Sequence, residues 1–281
     1  MRQFTPTVDT PYTLHLTRAL ARRIEQADRD YFVTRLMGLH GLMGNRHGVA
    51  LQRFGDAVGF VVRDLPDPHF NRVVNVRGKT EAYLDEILAW YDENGMHCRI
   101  DVSPADAPRR LLEAMARRGM YQDGFYAAMY GTPFRGGLRS GRGAELDVRL
   151  MTASDRLAVE ETYVVGHGVP DDRAATVKDS ISVLFDKPGM RLYGTYIEGA
   201  LAAVAVMYVV RRTAYLVSAA TLPGFRRRGC HAALIKRRLN DAVALGCDLA
   251  ISHNPFLSPA QRNLERLGFR MAYTKAVWMS K

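Results

Sequence analysis

Three arginines and a glycine, R-R-R-G at positions 226–229, bring together residue types that can grip phosphate. A strand-like run at 214–221 precedes them, Pro223 and Gly224 mark a turn, and an amphipathic stretch begins near Cys230. A strand, a short basic loop and a helix start can together hold an anion. The first turn of a helix has N–H groups without intrahelical partners, and the helix dipole is positive there. Gly229 carries no Cβ, so the backbone can come close to the anion. Arginine adds charge-assisted hydrogen bonds to phosphate oxygens. A basic cluster also suits nucleic acid or a solvated face. The strand before it and the helix after it favour the cradle.

The flanking elements must hold that loop in place. Ile235, Leu239 and Ala242 recur at helical spacing, Lys236, Arg237, Asn240 and Asp241 lie opposite, and Gly246 ends the helix. An apolar strand follows at 248–252. Ser258, Pro259 and Gln261 make a helix start, with Ser as N-cap, Pro at the first helical position and Gln three residues after the cap. Ala260, Leu264 and Leu267 form its buried stripe, Gly268 ends it, and a last strand begins at Phe269. Two more helices are expected at 154–166 and 174–184.

These motifs resemble the GNAT (GCN5-related N-acetyltransferase) superfamily. The stretch P-G-F-R-R-R-G-C-H-A looks like its acyl-CoA loop, R/Q-x-x-G-x-G/A, with Arg226 in the first position and Gly229 as the glycine. His231 departs from the pattern, standing where the family has Gly or Ala. N-L-E-R-L-G-F at 263–269 is similar to the family's second motif, with Leu264 at the usual tyrosine position. The resemblance covers 191–281 well and 146–190 loosely. It implies acyl-CoA, most simply acetyl-CoA, as cofactor. Arg226, Arg227, Arg228, Gly229, Cys230, His231 and Ala232 would hold the pyrophosphate. Ala219, Ala220 and Thr221 would lie beside the pantetheine arm, a backbone N–H near Ala220 or Thr221 would face the oxyanion, and Asn263 joins this cofactor set. With Leu264 unable to protonate a thiolate, Tyr273 and Ser258 are the candidates for that role. Glu161, His167 and His253 are the candidate bases. The implied activity is acyl transfer to a primary amine of a small or amino-acid-like acceptor by direct attack.

Length, composition and charge bound these readings. With 281 residues, 47% hydrophobic and 24% charged, the chain suits two folded domains. The apolar run at 200–210 is too short to span a bilayer and stops at Arg211. The N-terminal residues carry no apolar signal core. Cys98, Cys230 and Cys247 are odd in number and lack metal spacing, which points to the reducing cytoplasm and no bound metal. Cys230, in its basic loop, has a setting that can depress a thiol pKa, or it is a small residue facing the fold. A net charge of +10 suits an anionic partner, CoA or nucleic acid, without separating them.

The two halves echo one another. Residues 51–54 and 58–62 flank a Gly55-Asp56 turn, as 192–197 and 201–210 flank Glu198-Gly199. A strand at 72–76 and a helix bearing Tyr83, Leu84, Ile87, Leu88 and Tyr91 parallel the 214–221 strand and its helix. A strand at 97–102, a helix bearing Leu111, Leu112 and Met115, and a strand at 125–130 complete the repeat. The expected fold is α/β (α+β), with two GNAT-like domains, each a mixed, mostly antiparallel sheet flanked by helices. The expected domains are a degenerate copy at 1–134, a Gly/Arg-rich linker at 135–145 and a catalytic copy at 146–281. The first copy has V-N-V-R-G-K-T in place of the phosphate loop and is expected to wall the acceptor site. Two rival readings stand beside the enzyme: a non-catalytic CoA-binding module, and an RNA-binding or RNA-modifying protein. A homodimer is compatible with the sequence.

Overall fold

The computed structural model describes residues 14–135 and 146–281. The expected linker, apart from Arg135, lies outside the described residues. In chain order the elements are α1 (Arg18–His40), β1 (Val49–Phe54), β2 (Ala57–Val62), β3 (Arg72–Val74), α2 (Leu84–Glu93), β4 (Arg99–Val102), α3 (Arg109–Arg117) and β5 (Tyr121–Gly131). Then follow β6 (Asp147–Leu150), α4 (Arg156–His167), α5 (Asp171–Ser182), β7 (Met190–Ile197), β8 (Ala200–Val210), β9 (Thr213–Thr221), α6 (Cys230–Ala244), β10 (Leu249–Pro255), α7 (Pro259–Glu265) and β11 (Arg270–Met279).

Local chemistry accounts for most of the boundaries. Thr17 caps α1 by accepting from the N–H of Leu20 at 3.1 Å. Ser258 caps α7 through Gln261 N–H, with Pro259 in the first turn. The β7–β8 hairpin turns through Glu198 and Gly199, both at positive φ (52° and 80°), the pairing a two-residue turn requires.

All the strands form one sheet, ordered β1-β2-β3-β4-β11-β5-β10-β9-β8-β7-β6. The mixed, mostly antiparallel character is as expected. The parallel pairs are β3 with β4 and β9 with β10. The two halves repeat one pattern, antiparallel pairings and then a parallel one: two antiparallel pairings in the first half, three in the second. The junction differs from two separate sheets. The last strand of each half crosses to the other: β5 pairs along β10, β11 pairs along β4, and β5 and β11 pair with each other.

One face of the sheet is covered by α1, α4 and α5, and the opposite face by α2, α3, α6 and α7. The first layer buries Ile24, Tyr31, Phe32 and Leu36 of α1 with Val206, Tyr215 and Ile251. The second buries Leu234, Ile235 and Leu239 of α6 against Ala203 and Leu216. Leu84, Ile87 and Leu111 pack with Val73 and Ile100 in the third cluster. Helix α1 bridges both halves: Phe32 stacks on Phe60 at 6.0 Å while Tyr31 meets Tyr215 edge-on at 5.5 Å. Among the described residues, no helix is long and apolar enough to cross a membrane.

Candidate active site

The parallel strands β9 and β10 pair only through Tyr215 and Ile251 and then diverge. Two observations explain the split. Strand β10 continues its pairing with β5 as far as Pro255, so its hydrogen bonds are committed on that side. Strand β9 bulges: Val217 opposes Val206 and Ala220 opposes Val204, so two residues face one. Ser218, in the bulge, has φ 50°, a conformation rare outside glycine. Ser252 Oγ donates to Leu216 O at 2.7 Å and fixes the point of divergence.

The divergence opens into a cavity of about 1160 Å³ lined by both halves of the chain. One end is the start of α6. Its N-cap, Gly229, has φ 86° and offers no side chain to the first-turn N–H groups. Arg227 also has positive φ (64°), so successive N–H groups curl toward one side, a shape suited to an anion. Gly229, Cys230, His231 and Ala232 all line this end. The corresponding turn of the first half is filled. There Thr80 Oγ1 accepts from Arg77 N–H, and a Cβ on Gly78 would meet Pro108 at 3.0 Å.

Of the residues expected to hold the cofactor, Ala219, Thr221, Arg226, Arg227, Gly229, Cys230, His231, Ala232 and Asn263 border the cavity. Ala220 is buried behind its wall. Arg228 turns toward Glu198 at 3.9 Å, over the ring of Phe225, and leaves the cavity. Arg226 reaches across to the C-terminal end of α4, donating to Gly166 O at 3.1 Å and Thr221 O at 3.4 Å. Gly166 lets α4 come that close: a Cβ there would lie 2.9 Å from Ala220 Cβ and 3.1 Å from Thr221 N. His231, the departure from the loop pattern, avoids crowding by pointing to α7, where Asn263 Nδ2 donates to its Nδ1 at 3.1 Å. Burial, with Arg238 nearby, lowers the His231 pKa to about 4, so the imidazole is neutral at pH 7. Cys230 is buried and burial raises its pKa, which corrects the idea of an activated thiol.

Of the residues expected to move protons, His253 borders the cavity and Tyr273 and Ser258 do not. Tyr273 is buried with its hydroxyl donated to Glu25 at 2.7 Å, and Ser258 Oγ is committed to its cap. This geometry gives neither a path to a leaving thiolate. His167 borders the cavity against the Tyr163 ring at 4.5 Å, while the exposed Glu161 pairs with Lys178 at 2.6 Å.

His253 sits in a buried ionic cluster that joins the halves. Lys275 of β11 contacts Asp28 and Glu25 of α1, each at 3.0 Å. Arg72 and Arg99 hold Asp101. Tyr215 donates to Asp28 at 2.9 Å, and His253 Nδ1 lies 3.1 Å from the same tyrosine oxygen. The tyrosine proton goes to the carboxylate, so Nδ1 must carry the imidazole proton. Nε2 is then a bare lone pair, and it has no hydrogen-bond partner among the described residues. Burial, then Lys275, pull the His253 pKa to about 3. Burial alone would raise Asp28, but Lys275 and Arg72 outweigh it and hold the carboxyl well below its ordinary range. Glu25 is raised, chiefly by burial.

The sequence reading missed Asp28, Arg72 and Tyr215, and also Tyr31 and Arg35 behind the bulge. A signal was present in α1: Glu25, Asp28 and Arg35 fall on the same helical stripe as Ile24, Tyr31 and Phe32. Charges on a buried stripe imply buried partners.

The model of the acetyltransferase (GNAT) family matches residues 156–269. No curated protein matches the chain. Among solved structures, a GCN5-related N-acetyltransferase from Kribbella flavida is similar with a TM-score of 0.65 and 16% identity, over 93% of this chain and 95% of that one. A GCN5-related N-acetyltransferase from Sphaerobacter thermophilus is similar at 0.59 and 14%, over 94% and 93% of the two chains. A tandem GNAT protein from the clavulanic acid biosynthesis pathway is similar at 0.57 and 14%, over 94% of each chain. From Arg156 to Phe269 the chain therefore matches the acetyltransferase (GNAT) family model, within a fold similar along nearly its whole length to that of GCN5-related N-acetyltransferases.

Proposed function

We propose that this protein is an acyl-CoA-dependent N-acyltransferase, with acetyl-CoA as donor and a primary amine of a small or amino-acid-like molecule as acceptor. The carrying observation is the uncapped start of α6, which opens into a cavity continuous with the freed edge of β9 and a wall from the first half. The thioester supplies an activated acyl carbon and a thiolate leaving group. The chain's residues would bind and orient it. N–H groups at 230–232 and the side chains of Arg226 and Arg227 face the pyrophosphate. The unpaired edge of β9 takes the pantetheine arm as an added strand. Backbone N–H groups at the bulge face the carbonyl oxygen as it gains charge.

The amine nitrogen attacks the acyl carbon, a C–N bond forms and the C–S bond breaks. The nitrogen loses a proton and the thiolate gains one. His253 Nε2 is buried, 3.9 Å from Glu25 Oε1, so it does not reach an amine in the cavity. With a pKa of about 3 it does not store the proton either, so the amine proton passes to water in the open cavity. The acceptor would lie between Tyr163 and Tyr215 of the second half and His69, Phe70 and Tyr126 of the first. We place the activity in the cytoplasm, in keeping with three free cysteines. The domain bounds we propose are 1–134 and 146–281.

Thiol release from acetyl-CoA across a panel of amines tests the reaction. Calorimetry tests the cradle: Arg226→Ala and Gly229→Asp should weaken acetyl-CoA binding by roughly 1.5–3 kcal/mol, while Arg117→Ala, exposed on α3, leaves it unchanged. Equal affinities in all three would move the site elsewhere. Leu264, which has no hydroxyl to give a thiolate, is buried in α7. That favours one second reading: binding without turnover on any amine would mark a CoA-binding module.

A further inference from the structure

Arg35 of α1 is fully buried. Its Nε donates to Ser180 O at 3.1 Å, its Nη2 to Ser180 Oγ at 2.7 Å and its Nη1 to the Tyr31 hydroxyl at 3.1 Å. Nη1 also lies 3.4 Å from Ser218 Oγ, and Tyr31 Oη is 2.8 Å from the same atom. None of these partners is a carboxylate. The other buried cations of the first half and of β11 differ: Arg72, Arg99 and Lys275 all rest on carboxylates. A buried charge without a countercharge is destabilising unless something supplies one.

The position of Arg35 shows where a countercharge would act. Its guanidinium lies behind the cavity wall, 4.9 Å from the Phe70 ring centroid and 6.0 Å from that of Tyr163. Those two rings and Ser218 line the cavity, and Ser218 is the positive-φ residue of the β9 bulge. From the opposite face Arg238, also buried and paired among the described residues with carbonyl oxygens, donates to Val206 O at 2.8 Å and Val217 O at 3.5 Å. The bulge is held between two guanidinium groups that, among the described residues, pair with no carboxylate.

We infer that Arg35 is a positioning residue for acyl transfer: through Tyr31 and Ser218 it fixes the bulge and sets a positive field there for the charge that grows on the acyl oxygen. The inference rests on the transferase reading above. As the amine attacks, the carbonyl π pair moves onto oxygen, and it returns when the C–S bond breaks. The field acts on that transient charge. Helix α1 belongs to the first half, so the degenerate copy contributes to the chemistry of the second as well as walling its cavity.

The test compares two non-reacting ligands on the full chain. S-ethyl-CoA is neutral beyond sulfur, and S-carboxymethyl-CoA places a carboxylate near the bulge. Wild type should bind the anionic ligand about tenfold more tightly, and Arg35→Met should abolish that preference with S-ethyl-CoA affinity held within about threefold. Arg35→Lys should restore part of the preference, which a merely structural role would not do selectively. In turnover, Arg35→Met should lower kcat with little change in KM for acetyl-CoA. If Arg35→Met fails to fold by circular dichroism, Ser218→Ala and Arg35→Lys carry the test: the first should weaken the preference, the second retain it. An unchanged preference in the soluble variants, or an equal loss for both ligands, overturns the inference. Wild type binding neither ligand overturns the transferase reading, and the inference with it.

Discussion

His253 illustrates how one side chain can be held in a single protonation state. It is buried, it gives its only proton to Tyr215, and Lys275 and Arg72 oppose a second. Its folded pKa of about 3 lies below the ordinary histidine value, so between those values the unfolded chain takes up the proton first. The stability linked to this group is therefore complete above about pH 6.5 and is lost as pH falls toward 3, at up to about 1.4 kcal/mol per pH unit. Thermal melts between pH 7.5 and 5 should show a falling Tm. His253→Asn, whose amide can keep the donation to Tyr215, should flatten that fall. A variant with the same slope as wild type would show that His253 does not titrate in this window. Residue identities in the loop were legible beforehand because their logic is local: Gly229 needs positive φ, and a helix start needs anions or caps. Arg228 was misplaced because direction within a loop depends on a neighbour, Glu198, thirty residues away in the chain.

Among the elements, α1 and β11 matter most, and their roles were the least legible. The sequence reading places a last strand from Phe269 but sets no bounds for a helix at 18–40, and it does not say that Lys275 will meet Asp28 and Glu25 across almost the whole chain. Burial opposes the lysine's charge, and those two carboxylates outweigh it and raise its pKa. Removing the cation leaves two buried carboxylates with less compensation. Lys275→Met should destabilise the protein by about 3–5 kcal/mol in urea unfolding at pH 7. The loss should be smaller in acid, where Glu25, already raised, takes a proton readily. A loss below about 1 kcal/mol at pH 7 would mean that water reaches the pair and replaces the lysine. By contrast the start of α7 was legible to the residue, since Ser258, Pro259 and Gln261 act within one turn.

At the scale of the whole molecule, the repeat could be read from turn and strand spacing, and the exchange of β5 and β11 could not. Spacing fixes which segments are strands, whereas pairing partners depend on which edge is free when the strands meet. The exchange has a direct consequence for dissection of the chain. A fragment of residues 146–281 would leave one edge of β10 bare and give β11 neither of its neighbours. It should be insoluble or unfolded by circular dichroism when expressed alone, and should recover when co-expressed with residues 1–134. The intact chain should unfold in one transition. A 146–281 fragment that melts cooperatively by itself would refute this.

The same crossing constrains synthesis on the ribosome. Strand β4 appears early, yet one of its flanks waits for Arg270–Met279. Through most of elongation the nascent chain exposes an adhesive ribbon, and short-lived protection by a chaperone at that ribbon would set how much of the newly made protein escapes aggregation.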